Sequence, residues 1–140
     1  MYETYTRQAL PEKKYRELVW TAICVFNSNN SFIIENYLRS FSSEKNRHQL
    51  IDLESWKLLE ILKKESSLTD EIIIMFSEIV NKRNRIVHSF QITDSSDNTQ
   101  KLWTKDNKNQ KQFIITEEYL LKFIEDNSNL STALHKFRWY

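Results

Sequence analysis

The chain has no glycine and a single proline, Pro11, in 140 residues. Glycine is the residue that takes a left-handed backbone at little cost, so without it Ser, Asn and Asp must mark the breaks between elements. A chain this poor in breakers favours helices. From about Pro11, which suits a first helical turn, apolar residues recur at Tyr15, Leu18, Val19, Ala22, Ile23 and Phe26. Those steps of three and four predict a buried amphipathic helix. The polar stretch NSNNS at 27–31 is expected to end or kink it, with a second helix over about 32–41. After the charged connection SSEKNRHQ, a third helix presents Ile51, Leu53, Trp56, Leu58, Leu59 and Leu62. A fourth follows SSLTD, where Ser67 and Asp70 have capping-box spacing. Its stripe of Ile72, Ile73, Phe76, Ile79, Val80, Ile86, Val87 and Phe90 extends to about residue 90.

The segment ITDSSDNT then reads as a polar, mobile loop, and KLWTKDNKNQKQFIIT at about 100–115 as a β-hairpin around DNKN. Thr116 is an expected N-cap, with Glu117 and Glu118 placed to favour the helix dipole. The final helix carries Leu120, Phe123, Ile124, Leu130, Leu134 and Phe137. The expected fold is an all-α bundle of four to five helices with a small β-hairpin insertion near 100–115, in one domain over 1–140.

Composition agrees with a folded domain. Apolar residues make up 40% of the chain, including eight Phe, six Tyr and four Trp, although mean hydropathy is −0.60. A domain of this length buries a core without disulfides or a structural metal. The single cysteine, Cys24, lies in the apolar run LVWTAICVF and reads as a buried, inert thiol, compatible with a reducing cytosol. No apolar run approaches the roughly 20 residues of a membrane span, and no export signal is evident, so the expected location is cytoplasmic. Formal net charge is only +1, and any attraction to nucleic acid must come from local clustering of Lys and Arg.

Such a cluster closes the fourth helix, in NKRNRIVHSF at 81–90. On a helix Asn84 and His88, four apart, share a face, whereas Arg83 and His88, five apart, lie about 140° from each other around the axis. Arg83 and His88 therefore join in one site only if the helix bends or if a two-fold axis brings a second copy across. These residue types suit RNA cleavage without a metal. Histidine exchanges a proton near neutral pH with the ribose 2′-OH or the leaving oxygen. A guanidinium holds the scissile phosphate and offsets charge growing on its oxygens. Asn84 is placed to orient the histidine or to bind phosphate. The same residues have a structural reading: arginines at a helix C-terminus complement its dipole, and a histidine beside Ile86 and Val87 can be a satisfied packing residue.

The pattern Arg83-Asn84-Arg85-Ile86-Val87-His88, near the end of a long helix in a helical chain, resembles the HEPN domain family, whose motif is Arg, a polar residue and then a His after four to six intervening residues. The motif resemblance covers mainly 68–92, and the helix pattern about 12–137; the hairpin lies outside it. The resemblance implies a homodimer with the motif in a cleft between protomers, and a metal-independent endoribonuclease of toxin–antitoxin or abortive-infection type with no cofactor. It makes Arg83, Asn84 and His88 the expected catalytic residues. Lys82 and Arg85 are further phosphate candidates. The resemblance equally allows a non-catalytic dimerisation module that docks a partner protein, such as an antitoxin or nucleotidyltransferase, or a nucleotide. Lys101, Lys105, Lys108 and Lys111, interleaved with Trp103 and Phe113, form a candidate basic arm for RNA, with aromatics able to stack on bases; a solvated hairpin with both aromatics facing the core is the alternative. His48 and His135 are expected to be solvated.

Overall fold

The longest element, α1 (Lys13–Ser40), has 28 residues, about 42 Å at the helical rise per residue. The computed structural model describes residues 1–40, 46–65, 68–106 and 108–139. α1 runs unbroken through 27–31, where the polar stretch was expected to stop it, and the helix expected over 32–41 is its C-terminal half, residue 41 lying outside the described residues. The reason is a buried partner on the facing helix α5 (Glu117–Trp139). The Asn29 side-chain Nδ2 donates to the Asn127 backbone oxygen at 2.8 Å and to its Oδ1 at 3.0 Å. Asn127 Nδ2 in turn donates to the Phe123 carbonyl at 2.9 Å. A buried polar side chain costs little once its hydrogen bonds are met, so the asparagine is a seam between helices.

Between the long helices lie α2 (Arg47–Ile51), α3 (Ser55–Glu65) and α4 (Asp70–Val87). α2 forms inside the expected connection, opened by a capping box in which Gln49 N donates to Asn46 Oδ1 at 3.0 Å and Asn46 N to Gln49 Oε1 at 2.9 Å. The break at Asp52 puts Ile51 and Trp56 on separate elements, and both are about half exposed, off the core they were expected to join. Leu58, Leu59 and Leu62 are buried as expected. The N-cap of α4 is Thr69, whose hydroxyl accepts from Ile72 N at 3.3 Å; Ser67, the expected cap, lies outside the described residues.

Ile72, Phe76, Ile79, Val80 and Ile86 of α4 face Phe26 of α1 and Phe123 of α5 in one core. Phe26 sits between Phe76 and Phe123, with centroids 6.3 and 6.5 Å away. Cys24 is exposed, not buried. It stands two residues from both Ala22 and Phe26, about 200° around the helix, on the outward side that also shows Trp20.

α4 stops at Val87, and the chain passes into β1 (Phe90–Asp94), β2 (Thr99–Lys105) and β3 (Gln112–Ile115), an antiparallel sheet in the order β1-β2-β3. The segment expected as a mobile loop is thus a strand and a tight turn, and the expected hairpin is β2 and β3. Val87 and Phe90 are exposed and do not extend the helical stripe. Asn98 and Gln110 supply the positive φ that turns require, each at 60°, in the absence of glycine. Aspartates complete the turns: Asp94 Oδ1 accepts from Ser96 N at 3.0 Å, Asp97 Oδ1 from Thr99 N at 3.1 Å, and Asp106 Oδ1 from Lys108 N at 2.7 Å. Tyr15 fastens the sheet to α1, its hydroxyl donating to the Ile115 carbonyl at 2.5 Å and accepting from Leu102 N at 3.0 Å. Thr116 caps α5 as expected, accepting from Tyr119 N at 3.1 Å. The described residues are mostly helical, with one small sheet, and none of their helices is long and apolar enough to cross a membrane.

Candidate functional site

The motif occupies the last turn of α4 and the residue beyond it. His88 is the C-cap, its backbone N–H donating to the Asn84 carbonyl at 3.0 Å, and Ser89 N donates to Ile86 O at 3.3 Å. β-branched and aromatic residues follow in FQIT, so propensity changes where the helix bonds run out. The end of the helix is set locally, with Arg85 in the last turn favouring the dipole.

Each side chain of the motif has a different environment. Arg83 is half-buried, its guanidinium carbon 5.3 Å from the centroid of the Phe26 ring and its Nη1 donating to Asn84 Oδ1 at 3.1 Å. The Arg83 and Asn84 side chains thus form one unit resting on the core, and the cation–π contact restrains the guanidinium. Lys82 turns to α5 and pairs with Asp126 at 2.8 Å, a carboxylate also held by Lys122 at 3.0 Å. Burial tends to raise the Asp126 pKa, but the two ammonium groups prevail and hold it below its ordinary value.

Arg85 reaches the sheet, where its Nη1 donates to the Lys105 carbonyl at 2.9 Å and its Nε is buried without a partner. It lies close enough to Tyr119 for their charges to interact. Burial pushes the Tyr119 hydroxyl up to about 12, against the pull of the Arg85 charge and with a smaller push from Asp106. His88 is exposed, and among the described residues its imidazole has no hydrogen bond or ion pair. A side-chain hydrogen bond thus joins Arg83 with Asn84, and among the described residues none joins the His88 imidazole to either.

The lysines of the expected basic arm divide into two groups. Lys101 is bound in the β1–β2 turn, 2.8 Å from Asp94 and 3.0 Å from Asp97. The Lys101 hydrogen bond, with others from Ser96, holds the Asp94 carboxyl down to about 2, and Lys101 is itself raised above its usual value by the two carboxylates. Lys105, Lys108 and Lys111 are exposed and have no ion pair among the described residues. The two aromatics of the arm also part company. Strand alternation and register put Phe113 with buried Thr104 on the face toward the core, where Phe113 meets Tyr119 at 5.6 Å. Trp103 lies on the opposite face, against Phe90 at 5.3 Å.

His48 is exposed as expected; His135 is exposed too, with its ring 4.7 Å from that of Phe32. Among the described residues no three His, Cys, Asp or Glu side chains stand together as a metal-binding set. Sequence reasoning did not nominate Tyr119 or Asp126. The only local signal for Asp126 was its spacing of four from Lys122, which points to Lys122 and away from Lys82. Phe26 was assigned to the core alone, and its second role under Arg83 depends on the packing of α4 on α1. Comparison with protein-family models, with curated protein sequences and with solved structures returned no match.

Proposed function

We propose that the protein is a metal-independent endoribonuclease of the HEPN type, acting in the cytoplasm as a toxin or phage-defence enzyme, at a site composed from the α4 ends of two copies. The observation that supports this reading is the division of labour at that end: Arg83 and Asn84 are restrained on Phe26, while one turn on His88 is exposed with both ring nitrogens open. In the reaction the 2′-OH of RNA loses its proton to His88 of one copy or the other and attacks the adjacent phosphorus. The bond to the 5′-oxygen breaks, and that oxygen takes up a proton. The products are a 2′,3′-cyclic phosphate and a 5′-OH end. Arg83 holds the phosphate oxygens as charge builds, and Asn84 orients the guanidinium. Arg83 and His88, about 140° apart on one helix, meet across a two-fold axis.

The test is incubation of wild type and His88→Ala with labelled total and transfer RNA in excess EDTA, with the ends of the products characterised. Cleavage by wild type alone, leaving cyclic phosphates, is the expected result; no cleavage by folded, dimeric wild type removes the reading. One observation favours a second reading, a non-catalytic dimerisation module docking an antitoxin-like or nucleotidyltransferase-like partner, or a nucleotide. Lys82 and Arg85, two of the three cations at 82–85, are bonded to other elements of the chain. On that reading, partner binding tolerates substitution of His88.

A further inference from the structure

The outer face of the sheet carries chemistry that the site above leaves unused. Register and alternation place Phe90, Ile92, Trp103 and Ile114 side by side on it: Phe90 pairs with Trp103, and Trp103 with Ile114 across the next strand. None of the four packs against the buried core, and Phe90 is 53% exposed. Phe90 and Trp103 meet edge to face at 66°, and Trp103 is half-buried. Lys105 shares this face, and the turn after it adds Lys108 and Lys111, all three exposed and without an ion pair among the described residues.

This face is fixed to the end of α4 at two points. Phe90 follows His88 by two residues, and Arg85, three residues before His88, donates to the Lys105 carbonyl at 2.9 Å. The aromatic row and the basic turn are therefore tied to the end of α4 that carries His88.

We propose that the outer sheet face is a stacking platform for single-stranded RNA, with Phe90 and Trp103 receiving bases of the strand beside the scissile bond and Lys105, Lys108 and Lys111 following its phosphates. The inference deepens the ribonuclease reading and rests on it for the identity of the strand. Charge decides the class of occupant. An apolar protein surface laid on the aromatic row leaves three ammonium groups without counter-charge, whereas a single strand supplies both a π-face for each ring and an anion for each lysine. The phosphate contacts add affinity without sequence preference, and stacking accepts any base, so the platform selects for unpaired RNA more than for sequence.

The experiment measures binding of a labelled 2′-O-methyl oligonucleotide of about ten nucleotides, within the span of known single-strand sites, by fluorescence anisotropy. The probe has no free 2′-OH and cannot be cut by 2′-OH attack, so binding is read apart from cleavage. Phe90→Ala and Trp103→Ala are expected to weaken binding by about tenfold each, and Trp103→Phe to restore most of it. Replacing Lys105, Lys108 and Lys111 together by Gln is expected to lower the slope of log affinity against log salt by about 2. Circular dichroism checks that each variant folds, and exposed Phe90 serves if Trp103→Ala does not. Wild-type affinity in folded Phe90→Ala, or no binding by wild type, overturns the proposal. A change in sedimentation of the RNA-free protein on Phe90→Ala, with oligonucleotide affinity unaltered, shows instead that the face joins two copies. Binding that persists while the EDTA cleavage assay fails retains the platform and removes the ribonuclease reading.

Discussion

The polar stretches NSNNS at 27–31 and NKRNR at 81–85 both lie on helices of this protein, and they play opposite parts. The first resembles the end of a helix and is the middle of one; the second was expected at the end of its helix and lies there. The difference is where the polar atoms find partners. Asn29 is buried, and its amide is met by Asn127 on a helix that begins almost ninety residues later in the chain. Lys82, Arg83 and Arg85 are each held in a different direction, by Asp126, by Phe26 and Asn84, and by the Lys105 carbonyl, so the cluster is drawn open around an exposed His88. A polar residue closed onto a partner serves the fold; one held by its neighbours but still facing water is available for chemistry.

That contrast can be broken at either end. The largest effect is expected at the open end, where His88→Ala reduces RNA cleavage by about a hundredfold or more while helical content and melting temperature stay near wild type. Equal loss of activity and of structure would assign His88 to the fold. At the closed end, Asn29→Leu leaves the buried Asn127 Oδ1 without its donor and is expected to cost about 1–3 kcal/mol in urea unfolding, much of it recovered when Asn127→Leu is added. Additive losses in that double-mutant cycle would show that the two amides do not act as a unit.

The sheet offers a sharper test through pH. Asp94, ordinarily at 3.8, is held down to about 2 in the folded chain, chiefly by the hydrogen bond from Lys101 and then by those from Ser96. A carboxylate lowered on folding adds stability above its unfolded pKa and loses it as pH falls through the folded one. The β1–β2 turn is therefore expected to hold from neutrality to about pH 4 and to loosen between there and about 2. Amide exchange at residues 95–98 reports this, and Asp94→Asn should reduce the pH dependence in that window, the remainder coming from Asp97, whose carboxyl the hydrogen bonds from Thr99 and Lys101 also hold below its ordinary value. The smallest effect is expected for Lys82→Met, about 0.5 kcal/mol in chemical unfolding. Its pair with Asp126 is partly open to water, with side chains 32% and 23% exposed, and Lys122 keeps the carboxylate paired. A loss several times larger would make Lys82 a main tie between α4 and α5.

Much of the helical plan was legible because the signals are local. The stripes of α1, α4 and α5, the Thr116 cap and the β2–β3 hairpin follow from spacing and propensity within a few residues. The errors came where a distant partner decides. The seam at Asn29, the exposure of Cys24, Ile51 and Trp56, and the strand at 90–94 all depend on which face meets another element. The motif was readable as a cluster of residue types, but the engagement of Lys82 with Asp126 and of Arg85 with Lys105 was not.

By itself, then, the sequence determined a helix-dominated chain with a hairpin before its last helix, through the absence of glycine and the period of its apolar residues. It also determined that Arg, Asn and His stand at one end of a helix. Only the tertiary structure decided that Arg83 rests on Phe26, that Trp103 and Phe113 face opposite ways, and that among the described residues Lys105, Lys108 and Lys111 have no ion pair while Lys101 has two. The physical reason is range. Propensity and period act over a few residues along the chain, whereas burial and charge pairing depend on neighbours that the fold brings from far along it.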